Sequence, residues 1–138
     1  MAVVEELLRS ESNGTISFGN HQLAQKAKKE DYEHEGDVYK VKTFQAMTKL
    51  EKNGLFLYES VPGTSVLNFA EKADVISFTV AGEQDAQVTL GLEEDSEYEV
   101  VVAGEIVGTM KTNLSGKLNL SVELEGVGEV EVKLEKQA

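Results

Sequence analysis

The chain has 138 residues, no cysteine, and a formal charge of −12 from 13 basic and 25 acidic side chains. Without cysteine there is no disulfide framework, thiolate metal site or cysteine nucleophile, and so negative a field makes nucleic acid and membrane surfaces poor partners. Hydrophobic content of 41% with 28% charged residues suits one soluble domain over residues 1–138.

No run approaches the ~20 apolar residues that span a bilayer. The start MAVVEELLRS lacks the basic and apolar regions of a secretory signal, which favours a cytoplasmic protein, with signal-less export as the alternative. Charge is uneven along the chain: residues 1–70 carry 8 basic and 10 acidic groups, residues 71–138 carry 5 and 15.

Val3, Val4, Leu7 and Leu8 would share one side of a helix. Ser12-Asn13-Gly14 and the alternating run Thr15–Phe18 follow at once, which favours the first arm of a hairpin over a short helix. His21–Glu30 is polar with little apolar face and reads as a loop or one exposed helical turn. Asp31–Glu35 and Val38–Thr43 read as strands joined at Gly36-Asp37, with Tyr39 and Val41 on one face. Phe44, Met47 and Leu50 fall three apart, setting a helical turn against a strand.

The strongest local signal is Asn53-Gly54, between Thr48–Lys52 and Leu55–Ser60. A two-residue type I′ turn needs positive φ at both central positions, which Asn and Gly reach at least cost. That turn pairs Lys52 with Leu55, Leu50 with Leu57 and Lys49 with Tyr58. Pro62 ends the second strand at Val61, and Pro62-Gly63 fits the centre of a type II turn.

Further strands are expected at Ser65–Phe69, Val75–Val80 and Gln87–Leu92. The pattern then becomes regular: Tyr98, Val100 and Val102; Leu118, Leu120, Val122 and Leu124; Val130, Val132 and Leu134, each set alternating with polar residues. Alternation of this kind puts one face in the core and one in water, as antiparallel sheets allow. The fold class is therefore all-β, an antiparallel β-sandwich, Ig-like or jelly-roll-like, with little or no helix. An N-terminal β domain over 1–92 with a four-stranded module over 93–138 is the alternative division. The motif VAGE closes a strand twice, at Val80–Glu83 and Val102–Glu105.

Catalytic and metal motifs are sparse. His34 lies in Glu33-His34-Glu35, but in a strand the two acids point away from it, leaving a solvated loop tip. Glu93-Glu94-Asp95 reads as an acidic turn rather than a Ca²⁺ site, since no Asp-x-Asp-x-Asp-Gly loop is present. Phosphate loops and the Gly-x-Ser-x-Gly elbow are missing, so no catalytic residue, metal site or cofactor is expected. Tyr39, Phe56 and Tyr58 are the candidate ligand-binding residues, as a stacking platform for sugar rings. Cross-strand packing competes for the same side chains.

Asn13–Asn20 (NGTISFGN), Lys49–Val66 and Met110–Leu124 resemble a family of short bacterial proteins that carry an endosialidase label. Tyr98–Leu124 is similar to terminal β-sandwich modules of carbohydrate-active enzymes. The shared pattern is a Tyr-x-Val strand, a Gly-rich turn, a Thr and a Gly-x-Leu strand. The resemblance implies a link to glycans. Arg9, however, is the one arginine and tryptophan is absent, whereas a sialate carboxylate is held by an arginine cluster. The expectation is a non-catalytic structural or protein-interaction module that self-associates or docks a protein partner, with a carbohydrate-binding module as the alternative and a glycan-cleaving enzyme third.

Overall fold

Alternation with period two, broken by turn residues every few positions, leaves each segment one apolar face that only a second sheet can cover. The computed structural model describes residues 2–137. The strands are β1 (Leu8–Ser10), β2 (Ile16–Phe18), β3 (Ala27–His34), β4 (Asp37–Phe44), β5 (Met47–Lys52), β6 (Leu55–Val61) and β7 (Ser65–Lys72). They continue as β8 (Val75–Ala81), β9 (Ala86–Gly91), β10 (Glu97–Val102), β11 (Glu105–Lys111), β12 (Lys117–Val122) and β13 (Glu129–Lys136).

Two antiparallel sheets pack face to face as a β-sandwich, and the described residues contain no helix. The seven-stranded sheet runs β1-β2-β7-β8-β13-β10-β11, and the six-stranded sheet β12-β9-β6-β5-β4-β3. One apolar cluster lies between them, including Phe18, Val66, Phe78 and Leu134 from the first and Val41, Leu50, Tyr58 and Leu90 from the second.

The Asn53-Gly54 turn has both φ values positive, +52° and +79°, and Lys52 pairs with Leu55 as expected. Beyond it the expected register fails. A bulge shifts the ladder, so Leu50 lies opposite Tyr58 and Lys49 opposite Glu59. The extra residue lets Leu57 and Tyr58, neighbours in sequence, both reach the core.

The turn after β6 also differs from expectation. The Val61–Pro62 peptide is cis, and Gly63 is not among the glycines with positive φ, so no type II turn forms. Glycine is needed there for another reason: a Cβ on Gly63 would lie 1.9 Å from the Phe44 carbonyl oxygen.

Other readings shift by a residue or more. Residues Ala27–Glu30, expected in a loop, extend β3, because an edge strand needs little apolar face. Glu35 and Gly36, both at positive φ, form the β3–β4 turn, and Asp37 already belongs to β4. Phe44 and Met47 pair directly across a hairpin, which removes the helical alternative. The two VAGE copies differ in backbone: Ala81 is buried at the end of β8, whereas Ala103 takes φ +54° in a turn.

A chain of buried hydroxyls holds the passage from β6 to β7. Thr64 N–H donates to Thr48 Oγ1 (3.1 Å), and the Thr48 hydroxyl donates to the Thr64 carbonyl (2.7 Å). Tyr58 and Ser60 each lie 2.7 Å from Thr64 Oγ1. Around Tyr58 the rings of Phe18 and Phe78 meet it edge-on at 5.3 and 5.8 Å.

Two predictions follow from this arrangement. Gly54→Val places a β-branched residue at positive φ and should lower stability by about 1–3 kcal/mol in chemical denaturation. Burial pushes the Tyr58 phenol up to about 12, with hydrogen bonds to Thr64 and Ser60 opposing it. The neutral phenol therefore contributes stability below its ordinary value near 10 that is lost as pH rises towards about 12. Melting curves across that range should fall more steeply for the natural protein than for Tyr58→Phe.

Candidate functional site

Register brings lysines together that sequence spacing keeps apart. Lys28 lies directly opposite Lys42, and Lys42 directly opposite Lys49, on β3, β4 and β5. Lys42 sits between buried Val41 and Thr43, and Lys49 between buried Thr48 and Leu50, so both side chains point out of the sandwich. Strand spacing sets these three positions about 5 Å apart in a row across the sheet.

Like charges directly opposite on adjacent strands are destabilising. Lys28 is relieved by Glu30 at 3.4 Å, which also reaches Lys40 at 3.8 Å. Lys42 and Lys49 have no carboxylate within ion-pair distance among the described residues, although Glu59 is Lys49's register partner across β6. Lys49 instead lies over the Phe56 ring, 6.0 Å from its centroid, and Lys117 approaches the same ring at 4.9 Å. Lys26 lies 5.6 Å from the Phe44 centroid on this face. A protein with net charge −12 thus presents one lysine-rich face with two half-buried phenylalanines.

The three aromatic candidates do not form a shared platform. Tyr58 is 0% exposed and belongs to the core, and Tyr39 is 7% exposed beneath β4. Phe56 alone lies on the outer face, in a groove of about 510 Å³ that also holds Asn53, Leu55, Ser115 and Lys117. The bulge that turns Tyr58 inward separates it from Phe56.

A second depression, of about 380 Å³, opens between His34, Glu35, Asp37, Tyr39, Lys52 and Glu71. His34 is not a solvated tip, and Glu35 does not point away from it. The positive φ of Glu35 brings its carboxylate to 2.9 Å from His34 Nε2, which also lies 3.0 Å from the Gly14 carbonyl. His34 Nδ1 is 2.7 Å from Ser10 Oγ, and Ser10 Oγ is 2.9 Å from the Tyr32 hydroxyl. Across the depression Lys52 holds Glu71 at 3.1 Å and Asp37 at 3.6 Å. The Asn53 amide keeps the Asp37 carboxyl below its usual range, with Lys52 adding to the effect. These groups satisfy one another and tie β1 to β3 and β4 to the Asn53 turn.

His21, expected in an exposed segment, is buried beside Ser65 Oγ (2.8 Å), and burial holds its imidazole below the ordinary value. In the acidic turn, Lys136 pairs with Glu93, and Lys111 with Asp95 at 3.1 Å. No group of three or more His, Cys, Asp or Glu with metal-holding geometry occurs among the described residues. No described helix is long and apolar enough to cross a membrane.

Comparison with protein-family models, curated proteins and solved structures finds no match to this chain.

The lysine row was hidden because Ala27–Glu30 reads as a loop and because cross-strand neighbours require register. Its signal was the outward parity of Lys42 and Lys49 within their own strands. Lys42→Gln removes the middle charge of the row and should raise stability by about 0.2–1 kcal/mol at low ionic strength. The gain should shrink in high salt, as urea titrations at two salt concentrations would show.

Proposed function

We propose that this chain is a non-catalytic binding module that docks an acidic protein surface on the outer face of its six-stranded sheet. The observation that carries the reading is the row Lys28–Lys42–Lys49, a like-charge alignment that costs the isolated protein stability. Anions from a partner would relieve that repulsion. Phe44, Phe56 and Met47 supply partly exposed apolar surface beside the lysines, so contact gains hydrophobic burial as well as charge pairing. A non-catalytic role is supported by His34 being engaged with Glu35, and Asp37 and Glu71 with Lys52.

A glycan is the second reading, favoured by Phe56 between two lysines. An apolar sugar face would stack on the ring while Lys49 and Lys117 hold an acidic substituent.

Polyglutamate is a suitable protein-like probe. Binding should weaken as salt rises and fall at least ~tenfold in Lys42→Glu/Lys49→Glu, whose outward positions leave the core intact. Undiminished binding by that variant would refute the proposed face. If acidic oligosaccharides bind and Phe56→Ala abolishes that binding while leaving polyglutamate binding unchanged, the glycan reading takes precedence.

A further inference from the structure

The opposite face of the sandwich has the complementary defect. On the outer side of the seven-stranded sheet Glu99 lies directly opposite Glu135, and Glu131 points the same way on β13 with Lys133 between it and Glu135. None of these carboxylates has a lysine within ion-pair distance among the described residues. The one protein therefore carries opposed lysines on one face and opposed glutamates on the other, each arrangement costing stability when the face meets only water.

Apolar residues lie beside the charges on both faces. Two positions along the strand from Lys42 and Lys49, Phe44 pairs with Met47. Two positions along β10 from Glu99, Val101 pairs with Ile106, which is 69% exposed. On β13 the position opposite Val101 is Lys133, so the glutamate pair spans β10 and β13 while the apolar pair spans β10 and β11, Val101 lying about 7 Å along the strand from Glu99.

We infer that the acidic surface docked by the lysine face is the seven-stranded sheet of a second copy of this chain. The inference rests on the docking reading proposed above and names its partner. In the stack, Lys42 and Lys49 of one copy face Glu99 and Glu135 of the next, while Phe44 and Met47 lie over Val101 and the Lys133 side chain, register partners two positions further along β10 and β13. The charged pairs set the register, and Phe44 and Met47 against Val101 and the aliphatic stem of Lys133 supply burial. Because two different faces meet, the contact is heterologous: every added copy leaves one free face of each kind, so assembly continues unless it closes into a ring.

The net charge of −12 shapes the salt response. At very low ionic strength long-range repulsion between copies opposes contact, and at high ionic strength the facing charges are screened. Association is therefore greatest near a Debye length of about 10 Å, at roughly 0.1 M salt.

The test is sedimentation velocity and light scattering on the full chain over a concentration series at that ionic strength. The expected result is a mass that grows with concentration without stopping at a dimer and collapses in high salt. Lys42→Glu/Lys49→Glu and Glu99→Lys/Glu135→Lys should each be monomeric, since each loses one of the complementary faces. Mixed in equal amounts, they should associate again, because the first retains the acidic face and the second the lysine face. A natural protein that stays at the monomer mass of 15.1 kDa throughout would overturn the inference. So would association that both charge reversals leave unchanged. Polyglutamate binding separates the two readings: a strict monomer that binds the probe through Lys42 and Lys49 retains the docking face but refutes the second copy as its occupant.

Discussion

The sandwich depends on how the chain leaves one sheet for the other between Val61 and Ser65. A buried crossover carries peptide groups with no ladder partner, and each one left unsatisfied costs about 1–3 kcal/mol. Thr64 meets this constraint with both its backbone groups and its hydroxyl. Thr48 accepts from its N–H and donates to its carbonyl, and Tyr58 and Ser60 share its hydroxyl. Thr43 extends the chain to Thr48 at 2.8 Å and accepts the Asn20 N–H at 2.9 Å. Gly63 packs so closely on β4 that its N–H reaches the Gln45 carbonyl at 2.9 Å. Among the described residues no buried side-chain polar atom lacks a partner, so this polar seam can sit inside the fold.

Tyr58 links that seam to the apolar core. Its hydroxyl belongs to the Thr64 network, and its ring lies edge-on to Phe18 and Phe78, with Phe69 completing the group at 5.4 Å from Phe78. Burying one such ring contributes roughly 1.5–3 kcal/mol, and each well-placed aromatic pair about 0.5–1.5 kcal/mol more. Tyr58 reaches this position only through the bulge in β6. One added residue therefore separates an aromatic that serves the core from Phe56, which serves the surface.

The edges and faces are managed differently. β3 ends its sheet with Lys28, Lys29, Glu30 and Asp31 and carries a bulge, features that discourage further strand pairing. β1 is only three residues long, and Lys29 Nζ donates to the Leu8 carbonyl at 3.1 Å and the Glu6 carbonyl at 3.3 Å. β11 is uncharged from Ile106 to Met110, but the register shift at Val100/Val101 interrupts its pairing. β1 and β3 are blunted in these ways, and the broad faces carry the opposed like charges. The Lys28–Lys42–Lys49 row lies on one face and the Glu99–Glu135 pair on the other.

Sequence alone determined the all-β class, because period-two alternation in Tyr98–Val102, Leu118–Leu124 and Val130–Leu134 admits few other solutions. It also determined the Asn53-Gly54 turn, because positive φ at two consecutive residues is a local steric requirement. The amide of Asn53 adds a role that sequence did not show, holding the Val38 N–H at 2.9 Å and Asp37. Only the tertiary structure decided the β5–β6 register, since a bulge changes strand parity without a reliable local signature. Tertiary packing also made a strand of the polar residues Ala27–Glu30, which gain ladder hydrogen bonds to β4 without an apolar face of their own. For the same reason the lysine row and the Glu99–Glu135 pair were invisible in the chain: opposition across strands is a property of register, and register is set by the whole sheet.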